Sequence, residues 1–272
     1  MRYGLELPNA GPCGDARTLA ELANIAEVSG WDGVFLEDYI VYYDPIPTYD
    51  PWVALAAMAL RTNHIRLGTT VTPLARRRPW KLARELVTLD HLSNGRMILG
   101  VGLGDGEDFT RFGEPADVRR RAEMLDEGLA VLAGLWSGTR FSFQGKHYTV
   151  EETVFLPAPI QPGRIPIWIG GSAQVAAVVR RAAQWDGIVP YKRRDTEGWE
   201  NFTPQDIEAL SAQIAQQRHT TTPFDIAILG PRDERLVASM REAGVTWWME
   251  AIRAAPFATM REAIARGPLR DK

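Results

Sequence analysis

The hydrophobic pattern alternates along the chain between two kinds of segment. Short runs of β-branched and aromatic residues, typical of buried strands, are each followed by a loop and a longer stretch with apolar residues at helical spacing. Eight such units occur, with strands predicted at residues 3–7, 33–36, 65–71, 96–100, 167–170, 187–190, 225–229 and 246–250. The helices predicted after them are residues 15–29, 50–61, 79–93, 118–136, 173–184, 204–217, 232–243 and 259–266.

The third helix illustrates the signals behind these boundaries. Pro79 suits a first helical turn, where a missing N–H costs no hydrogen bond. Leu82, Leu86 and Leu89 form an apolar stripe at helical spacing. The pair Asn94-Gly95 then favours a left-handed stop, after which the next strand begins.

The repetition of strand and helix predicts the fold class. Strands that alternate with helices form parallel sheets, and eight units predict one α/β domain over residues 1–272, a closed (β/α)8 TIM barrel. An insertion at residues 138–166 interrupts the repeat. Its segments 141–143 and 147–150, on either side of a Gly-containing turn, predict a β-hairpin, and a surface excursion is favoured over a role as lid or dimer contact.

Composition and charge narrow the classes of function. The formal charge of −3, without a basic block, argues against nucleic acid as a partner. No apolar run approaches the ~18 residues of a membrane helix. The first residues lack the apolar stretch of a signal peptide, which predicts a cytoplasmic protein. Cys13 is the single cysteine, which excludes a multi-thiolate metal site.

In TIM barrels the active site lies at the carboxyl ends of the strands, so the search narrows to eight short segments. None of the four histidines lies there, which disfavours a His-based metal centre or a Ser-His-Asp relay. Hydrogen bonding to backbone or to an organic ligand is favoured over Mg²⁺ binding for the carboxylates at these ends, and no metal is expected. Those carboxylates are Glu6, Glu37, Asp38, Asp105 and Glu250.

Glycines at two strand ends suggest where a ligand would approach the backbone. Gly170-Gly171-Ser172 follows a strand and precedes a predicted helix, as in a phosphate-binding turn or an ordinary tight turn. Residues 100–104, GVGLG, leave a bare strand end where a flat ring would fit. The loop 105–117 is a candidate cover. The basic run 76–78 is either solvated or close to an anionic group.

Aromatic residues also concentrate at the predicted carboxyl ends, and a cofactor with a large apolar ring would use some of them. Packing in the core explains the others. The candidates are Tyr39, Tyr42, Tyr43, Tyr49, Tyr191, Trp247 and Trp248.

Several segments together resemble the bacterial luciferase-like monooxygenase family. They are residues 26–34 (AEVSGWDGV), 65–73 (IRLGTTVTP), 88–104 (TLDHLSNGRMILGVGLG), 145–148 (GKHY), 167–172 (IWIGGS) and 183–187 (AQWDG). The resemblance covers at least residues 1–190 and implies a barrel that binds FMN or the deazaflavin coenzyme F420 at its carboxyl face. The cofactor-binding residues it implies are Glu6, Thr70, Val71, Gly102, Gly170, Gly171 and Ser172.

The resemblance also implies roles for particular residues. Thr70-Val71 matches a bulged strand end, often with a non-prolyl cis peptide, behind the ring of the cofactor. Asp38, Tyr39 and Asp105 are the implied catalytic positions. Many members have His where this chain has Tyr39, and sugar-phosphate-oxidising members have Glu where it has Asp105. A phenol with a pKa near ~10 is a poor base at neutral pH, so that sugar-phosphate activity is disfavoured.

One principal function and three alternatives follow as expectations. The first is a monooxygenase that uses reduced FMN and O₂ on a small organic substrate, with a separate flavin reductase as partner. Its alternatives are F420-dependent hydride transfer, with an F420 reductase, and a silent flavin-binding relative. A carboxylate–metal barrel hydrolase is the remaining class. FMN is placed slightly ahead of F420, and a homodimer through residues 51–60 is a family expectation.

Overall fold

A closed parallel barrel forms the centre of the computed structural model, which describes residues 1–42, 44–194 and 198–270. Its strands pair in the order β10-β11-β1-β2-β3-β4-β7-β8, and β8 pairs with β10 to close the ring. They are β1 (Arg2–Leu7), β2 (Gly33–Leu36), β3 (Arg66–Pro73), β4 (Met97–Gly102), β7 (Ile167–Ser172), β8 (Gly187–Arg193), β10 (Asp225–Leu229) and β11 (Trp247–Ala251). The short strand β9 (Trp199–Glu200) pairs antiparallel with β8 outside the ring. The predicted TIM barrel is therefore confirmed.

Helices surround the barrel, and most begin where an acidic or hydroxyl side chain precedes them. Asp15, Asp50, Asp117, Thr203 and Asp233 each accept a hydrogen bond from a backbone N–H in the first turn of the helix that follows. The helices are α1 (Ala16–Val28), α2 (Pro51–Arg61), α3 (Pro79–Leu92), α4 (Glu107–Thr110), α5 (Val118–Trp136), α6 (Ala176–Ala182), α7 (Pro204–Gln217), α8 (Glu234–Glu242) and α9 (Phe257–Ala265).

The helix after β7 is shorter than predicted. Residues 173–175 form a turn instead, because the N–H of Ala173 donates to the carbonyl of Tyr191 (3.0 Å) and that of Gln174 to Ser172 Oγ (3.3 Å). Helix α6 has seven residues and no side-chain cap at Val175. The turn, rather than a long helix, therefore follows the Gly-Gly pair.

The predicted hairpin is present, with its second strand displaced. It consists of β5 (Arg140–Gln144) and β6 (Thr149–Val154), which pair antiparallel. Glu127 on α5 accepts the backbone N–H groups of residues 146, 147 and 148 at 2.8, 2.8 and 3.0 Å. Residues 147 and 148 therefore belong to the turn and not to the predicted strand.

Aromatic rings fill the lower half of the barrel interior. Phe35, Trp168 and Trp247 are fully buried, and their ring centroids lie 5.1–5.6 Å apart. The interior is a packed core at this level, as is usual for the fold. A ligand therefore has access only from above, at the carboxyl ends of the strands.

The outer face of α2 carries the exposed apolar side chains Val53 and Leu60. The homodimer expected through this helix stays a prediction. No helix in the described parts of the chain is long and apolar enough to cross a membrane.

Candidate active site at the mouth of the barrel

The alternation of side chains along the strands decides which residues face the mouth. Phe35 and Gly4 share the interior, since a Cβ on Gly4 would lie 3.2 Å from the Phe35 ring. Two residues further along each strand, Glu37 and Glu6 therefore face the same interior one layer higher. Thr70 of β3 continues this upper layer, and it is part-exposed. The mouth is thus ringed by polar side chains above an aromatic core.

Strand β3 is bulged at the mouth and contains a cis peptide bond between Thr70 and Val71. The ladder to β4 shifts between Thr69 and Thr72. Both features are those that the family resemblance implies for this position. The hydroxyl of Thr70 is buried and makes no hydrogen bond of standard geometry within the described chain.

The Val71 side chain lies between two glycines. A Cβ on Gly170 would stand 2.5 Å from Val71 Cγ1, and one on Gly102 would stand 2.7 Å from Cγ2. Real Cβ atoms do not approach so closely, so both positions require glycine while valine occupies position 71. The space left by Gly102 is filled by Val71, and not left open for a flat ring as the sequence suggested.

Asp38 is buried at the end of β2, where four side chains donate to its carboxylate. Arg76 Nη2 lies 2.8 Å from Oδ1, and Arg77 Nη2 lies 3.0 Å from both oxygens. Thr72 Oγ1 and Trp52 Nε1 donate to Oδ2 at 2.9 and 3.1 Å. With 1% of its side chain exposed, Asp38 has the surroundings of a positioning residue rather than of a group in direct contact with a ring.

The surroundings of Arg76 show whether the basic run 76–78 is solvated or close to an anionic group. Arg76 is buried, with 4% of its side chain exposed, and bridges Asp38 to Asp108 on α4. Asp108 also accepts the backbone N–H groups of residues 40 and 41 at 3.4 Å. Arg76 is therefore neither a solvated charge nor a free anion site. It ties the loop after β2 to the loop after β4, and we call these three side chains the Arg76 bridge.

Tyr39 and Asp105 line the same small cleft between these two loops, together with Tyr42. The backbone of Tyr39 is held by Asn9, whose Nδ2 donates to its carbonyl at 2.8 Å. The rings of Tyr39 and Tyr42 lie 4.7 Å apart between centroids. The structure thus brings together two of the three predicted catalytic residues, and their catalytic roles stay a prediction.

Glu6 and Glu37 form a carboxylate pair at the mouth, and the predicted catalytic set contains neither of them. Burial and the negative charge of Glu37 raise the pKa of Glu6 to about 8, while the nearby Thr70 hydroxyl acts in the opposite direction. Burial also raises the pKa of Glu37, against the hydrogen bond it accepts from Tyr42. Both glutamates can be identified from the sequence by their spacing, because Glu6 lies two residues after the inward-facing Gly4 and Glu37 lies two residues after the inward-facing Phe35.

The predicted phosphate turn lies at the end of β7. Gly170 and Gly171 are part-exposed, and Ser172 is buried. The Ser172 hydroxyl lies 3.2 Å from Gln174 Oε1, which also accepts the backbone N–H of Arg193 at 3.0 Å. A Cβ on Gly171 would lie 2.9 Å from Val178. The backbone N–H groups of residues 173, 174 and 175 all donate within the protein, so the role of this turn in binding a phosphate stays a prediction.

Two of the aromatic candidates are not at the mouth. Trp247 belongs to the aromatic core inside the barrel, and Trp248 is buried in the core cluster between strands and helices. Both residues are fully buried, and their indole N–H groups make no hydrogen bond within the described residues. Tyr43 lies outside the described residues.

A family model described as luciferase-like monooxygenase matches residues 3–266. The chain belongs to this family of oxidoreductases. An F420-dependent glucose-6-phosphate dehydrogenase from Microbacterium testaceum is 32% identical over 214 residues, which are 76% of this chain and 61% of that protein. One from Nakamurella multipartita is 34% identical over 164 residues, 58% of this chain and 47% of that protein. The chain thus spans about half to three fifths of the length of these relatives.

A solved F420-dependent secondary alcohol dehydrogenase, in complex with an F420-acetone adduct, superposes on the chain with a TM-score of 0.79. The match covers 99% of both chains at 15% identity, so it establishes the fold alone.

Proposed function

We propose that the chain is an F420-dependent oxidoreductase that transfers a hydride between the coenzyme and a small organic substrate. The observation that carries the proposal is the β3 bulge, packed on Gly102 and Gly170 and adjacent to a glycine turn. Two relatives above 30% identity are F420-dependent enzymes, which favours F420 over the reduced FMN that the sequence placed slightly ahead.

The residues at the mouth fit the coenzyme. The Thr70 hydroxyl is a buried polar group without a partner of standard geometry in the described chain, beside a bulge that presents Val71 to the mouth. The turn 170–172 would hold the phosphate. The coenzyme supplies the hydride chemistry when bound. The protein binds it, orients it and excludes water.

Asp38 acts in this proposal as a positioning residue. Its carboxylate, fixed by Arg76 and Arg77, holds the segment that carries Tyr39 over the cleft. Tyr39 and Asp105 line a cleft that has room for little more than a water molecule, so they would border the substrate and not enclose it. A sugar phosphate is not the substrate we propose, because a phenol stands where those relatives of the family use a histidine base.

Titration of the purified protein with F420 and with FMN, each oxidised and reduced, tests the proposal. Cofactor fluorescence and calorimetry should show micromolar binding of F420 and weaker binding of FMN. Gly170→Ala should weaken F420 binding by about 10-fold or more, because its Cβ displaces Val71 from the bulge.

Gly106→Ala is the matched control. Gly106 has a helical φ of −62°, and its nearest neighbour beyond the adjacent residues, an Arg121 side-chain nitrogen, lies 4.0 Å from its Cβ position. This variant should bind F420 like the wild type. Tighter binding of FMN, or no binding of either cofactor, would contradict the proposal.

A further inference from the structure

The hairpin formed by β8 and β9 extends the wall of the barrel above its mouth. Val189 of β8 packs in the barrel interior with the aromatic core. Since side chains alternate along a strand, Tyr191 and Arg193 face the same interior side, one and two layers higher. Trp199 of β9 lies directly opposite Arg193 in the antiparallel ladder, so its side chain shares that face. One face of the hairpin therefore presents these three side chains to the mouth.

The opposite face of the hairpin is fixed to the body of the protein. Lys192 lies opposite Glu200 in the ladder, and the two side chains form an ion pair at 3.5 Å. The Lys192 ammonium group also pairs at 3.1 Å with Asp206, which lies in the first turn of α7. These ion pairs hold the hairpin from its outer side, so its inner side needs no further contact to stay in place.

The three side chains on the inner face form a compact group, which we call the Trp199 cluster. The rings of Tyr191 and Trp199 meet edge to face, with centroids 4.6 Å apart and planes at 77°. The guanidinium carbon of Arg193 lies 5.7 Å from the first centroid and 5.9 Å from the second. Trp199 is 62% exposed. In the described parts of the chain, Arg193 contacts these two rings and forms no ion pair.

This combination of groups favours one chemical class of ligand. Tryptophan, tyrosine and arginine are enriched where binding energy concentrates, because large rigid rings bury much apolar surface on contact. A guanidinium binds a carboxylate through two parallel N–H···O bonds and can stack on a ring at the same time. A ligand that carries both a ring and a carboxylate would therefore use both parts of the Trp199 cluster.

The Trp199 cluster lies next to the bed proposed for the coenzyme and outside it. Val71, Gly102 and Gly170 place that bed on β3, β4 and β7. The cluster follows on β8 and β9, the next strands in the order of the sheet. A ligand held there would adjoin the coenzyme without occupying its place.

We propose that the Trp199 cluster binds the substrate, and that the substrate is a ring compound that carries a carboxylate. The inference rests on the proposed F420-dependent function and names the substrate class of that site. The coenzyme is another source of a ring with acidic groups, and its affinity is therefore measured separately.

Benzoate and benzamide test the ligand class, because they are similar in shape and only benzoate is charged. Ligand-detected NMR should show that the wild-type protein binds benzoate with a Kd on the order of 1 mM. Arg193→Gln should weaken benzoate binding about 10-fold, because a charge-assisted contact is lost, and should leave benzamide binding within about twofold. Trp199→Ala should weaken benzoate binding about 10-fold as well, through loss of the ring contact.

Trp80→Ala is the matched control. Trp80 on α3 is also exposed, at 40%, and also meets a tyrosine ring edge to face, that of Tyr148. Because Trp80 lies on a helix outside the barrel, its loss should leave the Kd for benzoate unchanged. Equal weakening in Trp80→Ala and Trp199→Ala, or benzoate binding that is insensitive to Arg193→Gln, would overturn the inference.

Titration with F420 distinguishes failure of the inference from failure of the proposed function. The Kd for F420 should stay within about twofold in Trp199→Ala, and the wild type with F420 bound should still bind benzoate. If F420 binds and benzoate competes with it, the cluster belongs to the coenzyme site, so the inference fails and the proposed function stands. If F420 does not bind, the proposed function fails, and the assignment of the ligand as a substrate fails with it.

Discussion

At the scale of single residues, the carboxyl group of Glu6 makes the stability of the protein depend on pH. Its pKa is raised from 4.5 to about 8 in the folded protein, so the folded chain holds a proton there that the unfolded chain has lost. Stability conferred by this bound proton is present at low pH and falls as the pH rises from 4.5 to about 8. Above that pH range the ionised Glu6 carboxylate lowers the stability of the folded protein, because its charge is buried.

Replacement of Glu6 by glutamine should therefore stabilise the protein at alkaline pH. We expect the free energy of unfolding in Glu6→Gln to rise by about 2–4 kcal/mol near pH 9, with little change near pH 4. Urea denaturation at both pH values measures it. Glu21→Gln, at an exposed position of α1, should stay within about 0.5 kcal/mol at both. An equal effect of Glu6→Gln at the two pH values would contradict this account.

Residue roles were the least predictable from the sequence. Glu6 and Glu37 follow from the period of two along their strands once the interior face is known. The partners of Asp38 do not, because Arg76 and Arg77 lie 38 and 39 residues away and a basic run normally signals an exposed segment. Only the folded chain shows that Arg76 and Arg77 are directed inward onto Asp38, while Arg78 of the same run is exposed.

At the scale of elements, the Arg76 bridge connects two loops that carry the candidate site. One loop holds Tyr39, and the other holds Asp105 and helix α4. Arg76 and Asp108 are both buried, so loss of either leaves an uncompensated charge in a protein interior.

Arg76→Gln should lower the free energy of unfolding by about 3–5 kcal/mol. Amide hydrogens of residues 105–117 should also exchange faster, because the loop loses its anchor to Asp38. Arg111→Gln removes an exposed pair with Glu107 in the same loop and should cost less than about 0.5 kcal/mol. Hydrogen exchange that is unchanged in Arg76→Gln would show that the bridge does not hold the loop.

Elements were predicted well where local signals decide them. The strand of residues 33–36 and the helices 118–136 and 204–217 begin and end as the sequence indicates. The differences arise from distant partners. Glu127 accepts hydrogen bonds from the backbone of the hairpin turn, and the carbonyl of Tyr191 accepts one from the N–H of Ala173. Such contacts leave no trace in local periodicity.

At the scale of the whole molecule, the barrel is closed by its shortest pairing. Only two residue pairs join β8 to β10, Gly187 with Asp225 and Ile188 with Ile226. The pairing between β1 and β11 has five. A Cβ on Gly187 would lie 2.8 Å from the carbonyl oxygen of Asp225 and 2.5 Å from Trp168.

The Cβ added in Gly187→Ala should therefore push β8 and β10 apart where they close the barrel. We expect a loss of about 1–3 kcal/mol in stability, with hydrogen exchange accelerated first in β8 and β10. Gly106→Ala, with open space around its Cβ position, serves again as the control. If hydrogen exchange accelerated equally over all eight strands, the barrel would open as one unit. The pairing of β8 with β10 would then be no weaker than the others.

The packing of Val71 between Gly102 and Gly170 has a consequence for how such a barrel evolves. The three positions, on three different strands, share one volume, so none of them can enlarge alone. A side chain gained at 102 or 170 would be tolerated only after one is lost at 71. Substitutions at these three positions should therefore appear as compensated pairs. A protein that gains a larger residue at 102 or 170 must first have gained a smaller one at 71.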